Sequence, residues 1–137
     1  MTHRERHVGL HYLRIEGDTL FLRWVGDVDA AQMAELYAFA EPMFTEHPVC
    51  FMLVDATAGR RVTPEARKLA LKWPHRLQTG GAAFFGASLT ARTAATIMAA
   101  AMNLIFQSGS TIEFTSTEEA ARAWIDARRH KMRARSG

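Results

Sequence analysis

Apolar and polar positions along the chain alternate with two periods, and the switches between them outline the elements. Residues 8–16 and 19–25 read as two strands around Gly17-Asp18, a two-residue hairpin turn. In the second strand Leu20, Leu22 and Trp24 alternate with Phe21, Arg23 and Val25, so a period of two turns the first set toward the core. Gly26-Asp27-Val28-Asp29 then breaks the strand, and Asp27 or Asp29 can cap the helix that follows. Met33, Leu36, Tyr37, Ala40 and Phe44 share one stripe of that helix. Pro42 lies inside the pattern and predicts a kink or an early end.

The continuous apolar run Val49-Cys-Phe-Met-Leu-Val-Asp55 reads as a buried third strand at the centre of a sheet. It feeds a polar loop, Ala56-Thr-Ala-Gly-Arg-Arg61. Thr63 as N-cap and Pro64 at the first helical position start the next helix. Its inner stripe is Ala66, Leu69, Ala70, Trp73 and Leu77, with Arg67, Lys68, Lys72 and Arg76 outside and a stop expected near Pro74. Residues 80–87 form a small-residue fourth strand, and 88–90 cap a helix running to about Ser108. Residues 111–115 are the fifth strand. Ser116 or Thr117 caps the last helix, whose first turn holds Glu118 and Glu119, where the helix dipole favours acids. Ala120, Ala123, Trp124 and Ala127 are its expected inner face. This order predicts an α/β fold: a mixed five-stranded sheet with a leading β-hairpin, layered with about four helices.

Length and charge refine the picture. At 137 residues one domain is expected over 8–127, with a polar segment at 1–7 and a basic tail at 128–137. Arg128, Arg129, Lys131, Arg133 and Arg135 all fall in that tail, which is expected to fray. The preceding chain holds twelve basic and fourteen acidic residues and is net acidic. Within it, residues 27–55 carry six acids and no Lys or Arg, whereas 58–92 carry seven bases against Glu65 alone. Two oppositely charged faces follow, which matter for partner choice. The polar start of the chain shows no secretory leader, and the longest apolar stretch, 94–106, is too short to span a bilayer. A single cysteine, Cys50, excludes an intramolecular disulfide and suits a reducing cytoplasm, the expected location.

Catalytic motifs are missing: there is no G-x-S-x-G, glycine-rich P-loop, H-E-x-x-H or paired-carboxylate pattern. No catalytic residue, cofactor or metal site is therefore expected. Cys50 reads as a buried structural thiol. His3, His7 and His11 are four apart but lie in extended sequence, which predicts solvated rings rather than shared ligation; His47, His75 and His130 have no suitably spaced companion. Arg60 and Arg61 precede a helix start whose N–H groups can meet an anion or an acidic partner. Ser88, Thr90 and Arg92 repeat that pattern after the fourth strand. With strands three and four adjacent, Asp55, Thr57, Arg60, Arg61, Thr63, Ser88, Thr90 and Arg92 would share one sheet edge. The helix over 91–106 is apolar nearly all round, which predicts complete burial. Its Ile97, Met98, Met102, Ile105 and Phe106 are a candidate face for a homodimer, another partner or an apolar ligand.

The hairpin bearing Trp24, the apolar strand closing on Asp55 and the small strand Ala82-Ala-Phe-Phe-Gly86 together resemble the STAS-like domains. The closing run from Ile112 through Glu119-Ala120 to Trp124-Ile125 adds to the resemblance, which covers roughly residues 8–127. It is to the anti-sigma-factor-antagonist-like branch, which overlaps CRAL-TRIO-type lipid-binding folds. What the resemblance implies is a bacterial signalling module that docks a kinase-like or anti-sigma-like regulatory protein and is released by phosphorylation at the start of the helix after strand three. The usual Asp-Ser-Ser-Gly signature is absent, leaving Thr63 or Thr57 as the candidate acceptor. The expected function is thus a non-enzymatic regulatory interaction module. The alternatives are a small carrier of a lipid-like ligand, with its cavity beneath the 91–106 helix, and a homo-oligomeric scaffold. The acidic 27–55 stretch and the lack of interleaved aromatic and basic residues argue against nucleic acid.

Overall fold

Among the described residues six strands lie side by side in the order in which the chain makes them. The computed structural model describes residues 4–72, 79–106 and 111–136. Strands β1 (Arg4–Val8), β2 (His11–Glu16) and β3 (Thr19–Val28) form an antiparallel meander. Helix α1 (Ala30–Glu46) leads to β4 (Cys50–Val62), α2 (Pro64–Lys72) to β5 (Thr79–Phe85), and α3 (Leu89–Phe106) to β6 (Ile112–Thr115). The pairs β3–β4, β4–β5 and β5–β6 are all parallel. Each crossover advances one strand in the same direction, so right-handed connections place α1, α2 and α3 on one face. Helix α4 (Glu118–Ser136) follows the last strand and covers the other face.

The two cores follow the strand period. Leu20, Leu22 and Trp24 of β3 face α1–α3 together with Cys50, Val54 and Ala56 of β4, as the alternation predicts. Phe21, Phe51, Leu53, Ala83 and Phe85 point the opposite way and meet Ala121 and Ile125 of α4. Asp29 is the N-cap of α1, accepting from the Gln32 N–H at 2.8 Å while Gln32 Oε1 accepts from the Asp29 N–H. Met33, Leu36 and Ala40 are buried as expected, joined by Phe39 and Met43, and Tyr37 and Phe44 are half-buried. Pro42 does not end the helix, which runs on to Glu46. The carbonyl that its missing N–H would have met belongs to Ala38, on the exposed side, where water can serve it.

Several expectations need correction. The sheet has six strands rather than five, because the polar N-terminal segment is itself strand β1. Arg4, Glu5, Arg6 and His7 are exposed there, and charge on an edge strand deters pairing with other chains. His11 is not solvated but 1 % exposed. Its Nδ1 accepts from the Val25 N–H at 3.1 Å, so Nε2 carries the proton and faces the Asp27 carbonyl (3.2 Å) and Gln32 Oε1 (3.1 Å). This ring joins the β2–β3 hairpin to the cap of α1.

The basic segment expected to fray continues α4 to Ser136. The inner face of α4 is Ala121 and Ile125 with half-buried Trp124, whereas Ala120, Ala123 and Ala127 are exposed. Two arginines then latch the helix to the β2–β3 turn. Arg122 donates to Glu16 through Nη1 (2.9 Å) and Nη2 (3.3 Å), and Arg129 donates to Asp18 through Nε (2.9 Å) and Nη2 (2.8 Å). Arg128 donates to the Gly80 carbonyl from two nitrogens.

Helix α3 is not wholly buried either. A single helical layer shields only its sheet-facing side, where Ala91 and Ala95 are buried, and leaves Leu89 at 80 % and Ile97 at 47 % exposure. The side chains of Met102, Ile105 and Phe106, like Trp73, Pro74, His75, Arg76, Leu77, Ser108 and His3, lie outside the described residues. Among the described residues no helix is long and apolar enough to cross a membrane.

Candidate functional site

Strand β4 outruns its neighbour β5. Asp55 is the last β4 residue paired with β5, opposite Phe85, yet β4 continues through seven further residues to Val62, paired among the described residues with β3 alone. The stretch read as a polar loop is therefore a strand arm. Two register shifts against β3, between Arg23 and Val25 and between Gly26 and Val28, bulge it along the way. Thr57, Ala58, Arg60 and Arg61 are all exposed on it. Its β5-side edge has no strand partner among the described residues.

Close packing fixes where the arm runs. Gly59 lies against the Trp24 indole so closely that a Cβ there would overlap the ring. The Arg61 N–H donates to Asp27 Oδ1 at 3.1 Å, tying the arm to the end of β3. At its tip the Thr63 N–H donates to the Val28 carbonyl at 3.0 Å. The Thr63 hydroxyl accepts from the Ala66 N–H at 3.2 Å, so Thr63 is the N-cap of α2 that its pairing with Pro64 predicts. In α2 Ala66 and Ala70 are buried and Leu69 is half-buried.

The eight predicted residues separate into three places. Asp55 and Thr57 sit where β5 ends: Asp55 Oδ1 accepts from the Thr57 hydroxyl at 2.7 Å and the Thr57 N–H at 3.1 Å, and Arg23 Nε stands 3.8 Å from Asp55 Oδ2. Gly86 adjoins them, in a left-handed conformation (φ 71°), and a Cβ there would lie 2.6 Å from Thr57 Oγ1. Ser88 follows and caps α3, accepting from the Ala91 N–H at 3.2 Å, with Thr90 exposed in the first turn. Arg60, Arg61 and Thr63 lie farther out along the arm. At the rise of an extended strand, Thr63 stands as much as about 25 Å from Asp55. The two helix starts share an edge without standing side by side. Arg92 belongs to neither group, because its guanidinium stacks over Phe114 at 5.1 Å, toward β6.

Arg60 and Arg61 make no side-chain ion pair among the described residues. Thr63 spends its hydroxyl on the cap, whereas Thr57 presents an exposed hydroxyl beside a carboxylate. Cys50 is 1 % exposed, and burial, assisted by the charge of Asp18, pushes its thiol up to about 11, which leaves it inert at neutral pH. No group of three or more metal-ligating side chains occurs among the described residues. Asp27, read from the sequence as a possible helix cap, has a role there that sequence reasoning missed: its carboxylate anchors the arm. Its only signal is its place between two breaks in the alternation, which reads equally well as a helix cap.

A family model described as SpoIIAA-like matches residues 19–126. No curated protein matches the chain. A solved structure, an uncharacterized protein of the DUF3478 family with a SpoIIAA-like fold from Shewanella loihica PV-4, is 16 % identical. The match covers 90 % of this chain and 91 % of that one, with a TM-score of 0.56. At that identity the likeness concerns the fold.

Proposed function

This chain belongs to the SpoIIAA-like family, and from that premise we propose that it is a non-enzymatic regulatory module that docks an acidic partner protein along the β4 arm. The observation that carries this reading is the overrun of β4 past β5, which holds two arginines, without ion pairs among the described residues, on an edge that no described strand covers. Exposed guanidinium groups attract acidic surfaces and speed encounter, while the rigid arm fixes the geometry of docking. The partner is a regulatory protein of kinase-like or anti-sigma-like kind. In this reading Thr57 is the switch. A phosphate there would add nearly two negative charges between Asp55 and the arm and cancel the field of Arg60 and Arg61. Thr63 is the weaker acceptor, because modification would cost the cap of α2.

A photo-cross-linking residue placed at position 60 in the full chain, in native lysate, tests the surface directly. The expected result is a discrete protein adduct that the same probe at position 131, on the exposed side of α4, does not give. Identical adducts at both positions, or none at position 60, would contradict the reading.

A second reading rests on α3. Leu89 and Ile97 stand exposed on its outer side, which suits a homodimer or an apolar partner.

A further inference from the structure

At the other end of the sheet, α4 leans over the start of β3 and β4 and encloses a half-open cavity of about 360 Å³. It is lined by Asp18, His47, Pro48, Val49, Phe51, Arg129, Met132 and Arg133, so the helical end expected to be a frayed tail supplies three of its walls. Val49, Phe51 and Met132 make the interior apolar. The charges sort themselves unequally. Asp18 is already neutralised, since Arg129 grips it with two nitrogens and the Thr19 hydroxyl donates to Oδ1 at 2.9 Å. Arg129 in turn lies over the Phe51 ring at 5.1 Å and also pairs with Asp126. That leaves Arg133, exposed and without an ion pair among the described residues, as the free charge at the mouth, with His47 as a further polar residue of the lining.

We propose that this cavity binds a small monocarboxylate with a compact aliphatic or aromatic body. The body packs against Val49 and Met132, with Phe51 at the floor beneath Arg129, and the carboxylate meets the Arg133 guanidinium at the mouth. The volume falls in the range of small-molecule sites, and an apolar interior with one convergent charge is their usual composition. A single free guanidinium suits a singly charged anion better than a phosphate, whose second charge would lack a counterion because Arg129 is spent on Asp18. The site lies at the opposite end of the parallel strands from the β4 arm, and the inference does not depend on the docking reading.

The test is a titration of the isotope-labelled full chain, followed by amide chemical shifts, with hexanoate and separately with hexanamide, which has the same body and no charge. The expected result is saturable shifts centred on Val49, Phe51, Met132 and Arg133 with hexanoate, and affinity for hexanamide weaker by about tenfold or more. Arg133→Ala should lose that preference while the remaining spectrum is unchanged; Arg133→Gln, closer in shape, should do the same and separates lost charge from any local unwinding. Shifts that never saturate, equal affinity for acid and amide, shifts centred on α3, or an acid preference that survives in both Arg133 variants would overturn the proposal.

Discussion

Arg129, eleven residues into α4, holds Asp18 of the β2–β3 turn in a two-point clamp, with Nε 2.9 Å from Oδ2 and Nη2 2.8 Å from Oδ1. Both side chains are largely buried, so the pair is shielded from solvent and its geometry is fixed. It lies more than a hundred positions apart in sequence and closes the chain's last element onto its first hairpin. Arg129→Ala or Asp18→Asn should destabilise the fold by about 1–3 kcal/mol, because each leaves a charged or polar group half-satisfied. Urea unfolding of both variants checks this. The double variant should cost less than the two single changes added together.

Acid should loosen the same face. Hydrogen bonding from Arg122, and then from Arg14, holds Glu16 below the ordinary carboxylate range. For Asp18 burial works upward, but the Arg129 and Thr19 hydrogen bonds prevail and hold it low as well. Folding therefore favours the ionised forms. The stabilisation is complete above the ordinary carboxylate value of about 4 and is lost as pH falls through the lower folded values. Unfolding midpoints at neutral and acid pH should show a smaller acid loss in Glu16→Gln/Asp18→Asn than in the parent chain. An equal loss would show that the latch does not carry the acid response.

The two candidate threonines should separate cleanly. Thr63→Ala removes the cap of α2 and should cost about 1 kcal/mol. Thr57→Ala, at an exposed position, should change stability by no more than about 0.5 kcal/mol. Chemical denaturation of the pair reads the difference.

Gly59→Ala should be costly although the position looks like part of a polar loop. Its Cβ would overlap the buried Trp24 ring, so strand or indole must shift, at about 1–3 kcal/mol. Tryptophan fluorescence should report a changed environment along with a lowered unfolding midpoint, whereas Ala58→Ser next to it should leave both unchanged.

Much of this architecture is legible in the chain because the signals are local. The caps at Asp29, Thr63, Ser88 and Thr117 announce themselves by residue type and position, and the alternation from Leu20 to Val25 assigns both faces of β3. The misses come where an element is stabilised by something other than its own pattern. Strand β1 is an edge strand whose polar residues carry no period. The β4 arm has one strand neighbour and exposed side chains, so it reads as a loop although β3 holds it straight. The end of α4 looks like a charged tail because its anchors, Asp18 and the Gly80 carbonyl, are remote in sequence. His11 was read as solvated for the same reason: nothing adjacent in the chain announces Val25 and Gln32 as its partners. The candidate residues were chosen by type, whereas their division between the β5 end and the arm follows from the length of β4.

The measurement closest to the central claim is a binding titration of the protein captured through position 60, against the parent chain and against Arg60→Glu/Arg61→Glu. Both arginines are exposed, so the double variant should melt like the parent. Affinity should fall by about tenfold or more, since attraction becomes repulsion at the arm. Unchanged affinity in a normally folded double variant would contradict the assignment of the β4 arm as the docking surface.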